Sequence, residues 1–454
     1  MIKHAAILAG LIVVFLFLVR PSVIWGPYTY DEADYMYAVS LGPEANWLDS
    51  PTLPLPEFLK IGLGRGRDKS QRSDLSELIR NTNDVVFYRH WHGPFYIDWL
   101  TLLKPFAWDE QSMRALNYTL AIATALLMYF GALWLLPKPA DQLAATLAAM
   151  VYLWSFPVIN SPELAPHELF VLCVVAALLL LASQRHWYTA IVATALAVCT
   201  LEVAFALVAT VLICGHLIRE QLQPSLSFAL KSAAAFLIPI LIVWPAAIFK
   251  LSFIKAYLFM AYLAVFRKNA WGSDVTVWQT WLLRFQTSPI PWIMLACSIL
   301  LIAMGRVPWS PILTPFAIFG VSMFLAILRV NTQTPRYILP LWPAIVLFAS
   351  FTTAIWLVNF PPAVRYTGVG LIAATMFVTS YNVLQERHPI HDPHAYALLD
   401  TIRQKNLTDK RLLVPASDLP MIHYYFPRTH LKPYHDASEI PADLSAFDSV
   451  IYPR

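Results

Sequence analysis

The chain has 454 residues, 58% of them hydrophobic and 13% charged, with a formal net charge of +4. A soluble norm is about 25% charged, and a soluble core of this composition would expose far too much apolar surface, so the chain reads as a polytopic membrane protein. The small, dispersed positive charge excludes a nucleic-acid binder. Cys173, Cys199, Cys214 and Cys297 lie in apolar runs with neither metal-ligand spacing nor a disulfide framework.

A helix needs about 20 apolar residues to cross a bilayer. Residues 4–20 supply the first such run. Lys3 and His4 precede it as in a signal peptide, but Arg20-Pro21 follows with no small-x-small cleavage pattern, so it reads as uncleaved. Just beyond comes Tyr30-Asp31-Glu32-Ala33-Asp34-Tyr35-Met36-Tyr37. Carboxylates beside a bilayer are costly unless solvated or paired, which makes this cluster a functional-site candidate. Residues 43–80 are rich in Pro, Gly and charge and predict a long outer loop. Residues 94–107 are apolar but too short to cross, and with Asp98 and Lys104 they suit a helix lying in the interface.

Further spans are predicted near 115–136, 141–158, 164–183, 187–200, 202–218, 227–248, 286–304, 309–328, 336–357 and 366–384. The pair 187–200 and 202–218 is divided at Glu202, because a carboxylate at the bilayer centre would cost about 2.5–3.5 kcal/mol or more. A break lets Glu202 reach the water-facing edge or an internal cavity. Residues 385–454 predict a small domain of mixed helix and strand, with Leu412-Leu413-Val414 and Ser449-Val450-Ile451-Tyr452 as strands.

Basic residues in short loops set the orientation. Lys3, Lys138, Arg185, Arg219, Arg306 and Arg365 gather on the inner side when the N-terminus is inside. The predicted fold is therefore an all-α polytopic membrane protein with about eleven transmembrane helices. Its transmembrane module covers 1–384, with a large outer loop at 21–114 that carries interfacial helices. The small α/β domain at 385–454 falls on the non-cytoplasmic side.

On this topology five features meet at the outer face: the Asp31-Glu32 cluster, Tyr88 to Pro94, Ser161 to Glu168, the basic loop 249–268, and Thr334 to Pro340. Carboxylates and fixed cations at one membrane surface suit transfer from a lipid-linked phosphate. A carboxylate takes the proton of an acceptor hydroxyl, a contribution of about 10²–10⁴-fold. Arginine or lysine holds the phosphate as its charge grows. A phosphate leaves readily, so the paired acid and base of a glycoside hydrolase is not required.

The helix followed by Asp31-Glu32, with Ala33 and Tyr35 after it, resembles the GT-C-type membrane glycosyltransferases, the superfamily of the protein O-mannosyltransferases and of the enzyme adding aminoarabinose to lipid A. His92-Gly93-Pro94-Phe95-Tyr96 is similar to their His/Lys-Pro-Pro-Leu lead-in to an interfacial helix, with Gly93 in place of a proline. Arg336-Tyr337-Ile338-Leu339-Pro340-Leu341 is similar to their Arg-Tyr-Leu-Leu-Pro helix start. The resemblance implies an inverting transfer from a polyprenyl-phosphate sugar to a hydroxyl acceptor of the cell envelope. It implies Asp31 as the base, with Glu32 beside it in acceptor binding or local structure. Arg336 then carries the phosphate contact with Tyr337 close by, and Lys250, Lys255, Arg267 and Lys268 are secondary phosphate candidates. Many members have a Thr-Lys pair where this chain has Thr200-Leu201-Glu202, which points to a different donor head group.

Tyr35, His90, His92, Glu163, Glu168 and Glu202 complete the expected substrate-binding set. His90 and His92 could also join Glu163, His167 or Glu168 around a divalent metal, although hydrogen bonding to acceptor or backbone is the simpler reading and no metal is assigned. His388, His391 and His394 read as solvated. The resemblance and the compact layout suggest a multi-pass protein of a bacterial inner membrane with its site on the periplasmic side. An ion-coupled secondary transporter, or a non-catalytic assembly subunit, is the alternative.

Overall fold

The structure is a computed structural model that describes residues 2–20, 26–42, 92–161, 163–217, 225–245, 247, 276–330, 334–385, 393–415, 418–434 and 440–452. The predicted loop 43–80, together with His90, Lys250, Lys255, Arg267, Lys268, His388 and His391, lies outside the described residues.

Helix α1 spans Ile2–Val19, α2 Tyr30–Leu41, α3 Phe95–Leu103, α4 Glu110–Leu135, α5 Ala140–Leu153, α6 His167–Ala182, α7 Trp187–Val198, α8 Phe205–Leu217 and α9 Leu226–Val243. There follow α10 at Val277–Thr287, α11 at Pro289–Ala303, α12 at Thr314–Ile327, α13 at Trp342–Leu357 and α14 at Pro362–Gln385. An apolar helix overlaps each stretch predicted to span. By length and composition, four described helices can cross a membrane, and α10 with α11, bent by 96°, would be a fifth. The six others are apolar helices of 10–17 residues. The predicted break at Glu202 is present: α7 ends at Val198, and Glu202–Ala204 forms a 3-10 turn before α8.

The main core gathers α1, α4, α5, α6 and α13. Ala144, Ala145, Ala148 and Ala149 on α5 are fully buried. Without a hydrophobic drive between helices in lipid, such small residues let backbones approach and gain dispersion contacts. Pro335, Pro340 and Pro343 explain the start of α13. Each lacks an N–H for the i to i−4 ladder, and Pro335–Leu341 winds as a 3-10 helix before regular α geometry begins.

The C-terminal residues form α15 (Pro393–Gln404), β1 (Arg411–Pro415), α16 (Leu419–Tyr425), β2 (His430–Tyr434) and β3 (Ser449–Val450). The sheet is parallel with order β2-β1-β3. Strand β2 escapes a sequence reading because Pro433 interrupts it; proline is tolerated there because β2 is an edge strand. This unit buries Leu398, Val414, Met421 and Ile422 in one cluster with Ala33 and Met36 of α2 and Tyr96 and Leu100 of α3. Tyr425 fastens the contact: its hydroxyl accepts from Tyr28 N–H at 2.8 Å and donates to Glu110 Oε1 at 2.8 Å.

Candidate active site

Helix α2 carries the acidic cluster. Asp31 and Glu32 sit in its first turn, where the helix dipole favours negative charge, and the helix ends at Gly42 with φ +72°, a backbone setting suited to glycine. Consecutive positions on a helix point about 100° apart, so Asp31 and Glu32 face different surroundings.

Asp31 faces the start of the 3-10 segment before α13. Arg336 Nη2 donates to Asp31 Oδ2 at 2.8 Å, and Arg336 Nη1 donates to Glu163 Oε2 at 2.7 Å. Residues far apart in sequence thus meet in a carboxylate–guanidinium–carboxylate bridge. The guanidinium lies 5.3 Å from the centre of the Tyr337 ring. Its Nε–H is buried without a partner among the described residues, so one donor stays unused. Burial pushes the Glu163 carboxyl above its ordinary range. Arg336 pulls it back, and the charges of Glu32 and Asp31 add to the rise.

Glu32 is 4% exposed and points into the protein. Arg114 Nε donates to its Oε1 at 2.9 Å, and Leu164 N–H donates to the same oxygen at 2.9 Å. Arg114 also donates to the carbonyls of Gly26 at 2.8 Å and Pro27 at 3.1 Å. Of the two roles considered for Glu32, the geometry supports local structure: it ties α2 to α4 and to the segment before α6. Arg114 was not singled out in the sequence because it stands at the end of a predicted loop. The signal was there in Asp109-x-x-Ser112, which forms a capping box and starts α4 one turn earlier.

His92 and Glu202 form a second pair, with His92 Nδ1 2.8 Å from Glu202 Oε2. The turn holding His92 rests on the break between α7 and α8, where Phe95 N–H donates to the Cys199 carbonyl at 3.0 Å. Burial lowers the His92 pKa, but the charge and hydrogen bond of Glu202 more than offset this and leave it raised. Tyr35 stands edge-on to Tyr96 at 5.5 Å and lies 6.3 Å from the His92 ring, between the two pairs. His167 adds an edge contact to Tyr337 at 5.5 Å.

Glu168 departs from expectation. It is buried on α6, where Tyr152 Oη donates to its Oε2 at 2.8 Å, and it joins neither pair. Its position in α6 turns it toward α5 rather than toward the short turn that carries Glu163. Of the side chains weighed for a divalent metal, His90 lies outside the described residues and His167 stands against Tyr337. Glu163 is bound to Arg336, Glu168 to Tyr152 and His92 to Glu202, and no three His, Cys, Asp or Glu side chains converge on a metal position among the described residues.

Asp34 is a residue the sequence placed in the cluster without a role. It lies one turn past Asp31, is 2% exposed, and neither carboxyl oxygen has a partner among the described residues. Burial, then the charge of Asp31, pushes its pKa well above the carboxylate range.

No family model matches the sequence, and no curated protein matches it. Solved structures do match the fold. The crystal structure of ArnT from Cupriavidus metallidurans bound to undecaprenyl phosphate aligns with a TM-score of 0.59 at 13% identity, over 96% of this chain and 86% of that one. The apo oligosaccharyltransferase of Archaeoglobus fulgidus aligns at 0.57 with 12% identity, over 94% of this chain and 64% of that one. The Archaeoglobus fulgidus oligosaccharyltransferase AglB, in complex with an inhibitory peptide and a dolichol-phosphate, aligns at 0.54 with 14% identity, and this chain again spans 64% of its length. The likeness is one of fold: the chain is an integral membrane protein with the GT-C fold of membrane glycosyltransferases.

Proposed function

We propose that the protein is an inverting glycosyltransferase that moves a sugar from a polyprenyl-phosphate donor to a hydroxyl acceptor at the non-cytoplasmic face of the membrane. The observation that carries this reading is the Asp31–Arg336–Glu163 bridge, which puts a carboxylate in contact with a cation of the kind that binds phosphate. The fold neighbours bound to undecaprenyl phosphate and to a dolichol-phosphate support the donor class.

In this mechanism Asp31 accepts the proton of the acceptor hydroxyl. That oxygen attacks the anomeric carbon from the face opposite the phosphate, the bond from anomeric carbon to phosphate oxygen breaks, and its electron pair leaves with the polyprenyl phosphate. Configuration inverts. Arg336 offers its unused Nε–H and, by exchanging a carboxylate for a phosphate oxygen, holds the charge that grows on the leaving group. As the phosphate takes Arg336, Asp31 is released to act as base. Glu163 retains part of the guanidinium and keeps it aimed. His92, Glu202 and Tyr35 supply polar and aromatic surface for the sugar. Lys255 and Arg267 remain further phosphate candidates in this scheme.

The domain reading belongs to the proposal as well: a transmembrane module through residue 384, a small unit at 385–454 that buttresses α2, and a site facing the periplasm of a bacterial inner membrane. The test is transfer of labelled sugar from native polyprenyl-phosphate donors in membranes, comparing the parent with Asp31→Asn and Arg336→Lys. Asp31→Asn should lose at least about 10²-fold in rate while still folded. Arg336→Lys keeps the charge but loses the planar fork, and should also fall by about 10²-fold. Undiminished transfer by folded Asp31→Asn would remove Asp31 as the base.

A further inference from the structure

Asp34 sits one turn past Asp31 on α2 and serves nothing that the fold requires. It is the fifth residue of the helix, beyond the N–H groups that a cap would satisfy. Its side chain is buried, and neither carboxyl oxygen meets a donor among the described residues. A well-packed apolar side chain would cost the fold less at such a position. A buried polar group left unsatisfied in this way calls for an explanation beyond stability.

The titratable groups packed around α2 offer Asp34 no counter-charge. On α2 itself, Glu32 is held by Arg114, and Tyr35 packs edge-on to Tyr96. From α3, Tyr96 donates to Asn117 Oδ1 at 3.2 Å, and Asp98 lies within electrostatic reach of Cys199. From α16, His423 stands 5.0 Å from the Tyr37 ring, and burial lowers its pKa. Tyr424 packs on Tyr28, while Tyr425 is bonded to Tyr28 N–H and Glu110. Among the described residues, the charge that bears on Asp34 is that of Asp31, and it repels. Side chains three positions apart on a helix have Cβ atoms about 5–6 Å from each other, so the two carboxyls can meet. Burial and like charge both favour the neutral acid at Asp34, and its O–H is then a donor in need of an acceptor.

We propose that Asp34 relieves Arg336 as the partner of Asp31: when the guanidinium turns to the phosphate, the neutral Asp34 carboxyl donates its O–H to Asp31 and keeps the base aimed at the acceptor hydroxyl. That role rests on the function proposed above, and Asp34 acts through Asp31 rather than on the substrate. While the bridge is closed, Arg336 Nη2 holds Asp31 Oδ2 at 2.8 Å and fixes the carboxylate. Once the bridge opens, Asp31 is free to swing about its side-chain torsions, and a misplacement of about 1 Å can cost about 10²-fold. A donor on one oxygen restores the aim and leaves the other oxygen for the incoming proton. A carboxylic acid kept neutral by its surroundings can serve in this way as a hydrogen-bond donor. Neutrality matters for a second reason: with Asp31, Glu163 and a phosphate already gathered on Arg336, another anion would repel the charge growing on the leaving group. Asp34 keeps its own proton throughout. The acceptor's proton ends on Asp31, whose side chain is 34% exposed, and departs from there to water.

The test is sugar transfer from native polyprenyl-phosphate donors across pH, with the whole protein as parent, Asp34→Leu and Asp34→Asn. Leucine fills the volume without a donor, whereas asparagine keeps an N–H donor that does not titrate. Asp34→Leu should lose about tenfold or more in kcat with KM little changed, because the base is misaimed while binding is intact. Asp34→Asn should recover most of that loss. The parent's rate should fall on the alkaline side as Asp34 ionises, and this fall should be absent in Asp34→Asn. Parent-like kcat in Asp34→Leu overturns the proposal. So does an Asp34→Asn as slow as Asp34→Leu, or an alkaline fall unchanged in Asp34→Asn. A readout that needs no substrate is the infrared C=O band of a protonated carboxyl at neutral pH, taken as the difference between parent and Asp34→Asn. It should be present, and should move to lower frequency in Arg336→Gln, where Asp31 is set free to accept. Absence of the band, or a band that Arg336→Gln leaves in place, counts against Asp34 as the donor. If the parent transfers no sugar from any donor yet shows the band and its shift, the exchange between Arg336 and Asp34 stands and the glycosyltransferase reading falls. Normal transfer without the band does the reverse.

Discussion

A Cβ on Gly93 would lie 2.0 Å from the carbonyl oxygen of Cys199. That closeness lets the 92–94 turn rest on the break between α7 and α8 and brings His92 to Glu202. Gly93→Ala must push the two backbones apart, so it is expected to cost about 1–3 kcal/mol, the range for overpacking, and to separate His92 from Glu202. Thermal unfolding in detergent reads the first effect. An unchanged melting temperature would mean that the turn is not held as described.

The same pair has a pH signature. His92 is raised above its ordinary value of about 6.5, so the folded protein binds that proton more tightly than the unfolded chain. The pair's contribution is fully present below about 6.5 and is lost as pH rises through the folded value. Melting temperature should therefore fall over that window in the parent, and this component of the fall should vanish in His92→Gln. Melting curves taken at half-unit steps of pH check both.

Asp34 carries the opposite cost. Its folded pKa is raised, so the penalty of a buried carboxylate is absent below about 3.9 and grows as pH rises until the folded value is passed. Asp34→Asn cannot ionise. It should match the parent near pH 4 and melt at a higher temperature at neutral pH. Equal melting at both would show that Asp34 has an ionic partner in the folded protein.

Glu32 and Arg114 are expected to behave as a unit. Glu32→Gln leaves a buried guanidinium without its counter-charge, a loss on the order of 3–5 kcal/mol. Adding Arg114→Met should recover part of it, because the orphaned charge goes too. Were Glu32 an acceptor contact instead, Glu32→Gln would reduce transfer and leave the melting temperature untouched. A double-mutant cycle on unfolding separates the two.

Much of the helical order was legible because apolar runs report themselves, and Glu202 marked its own break by being too costly inside a continuous span. Asp31, Glu163 and Arg336 were also within reach, since all three fall at one predicted face. Their partners were not. Which carboxylate of Asp31-Glu32 turns outward depends on the rotation of α2, and that is fixed by Arg114 and by the C-terminal unit packing on its other side. Glu168 was misplaced for the same reason: sequence puts it near the surface, but not on a side of α6.

Helix α7 has 12 residues, about 18 Å at ~1.5 Å per residue, whereas the hydrocarbon core of a bilayer is about 30 Å thick. The irregular backbone that follows carries Glu202, against which the 92–94 turn sets His92, and such a break is tolerated within a membrane only where protein rather than lipid encloses it. On the proposed function, a carrier lying in the bilayer would not need to be lifted out to react. Its head would enter the polar break while its tail stays in the solvent it already occupies.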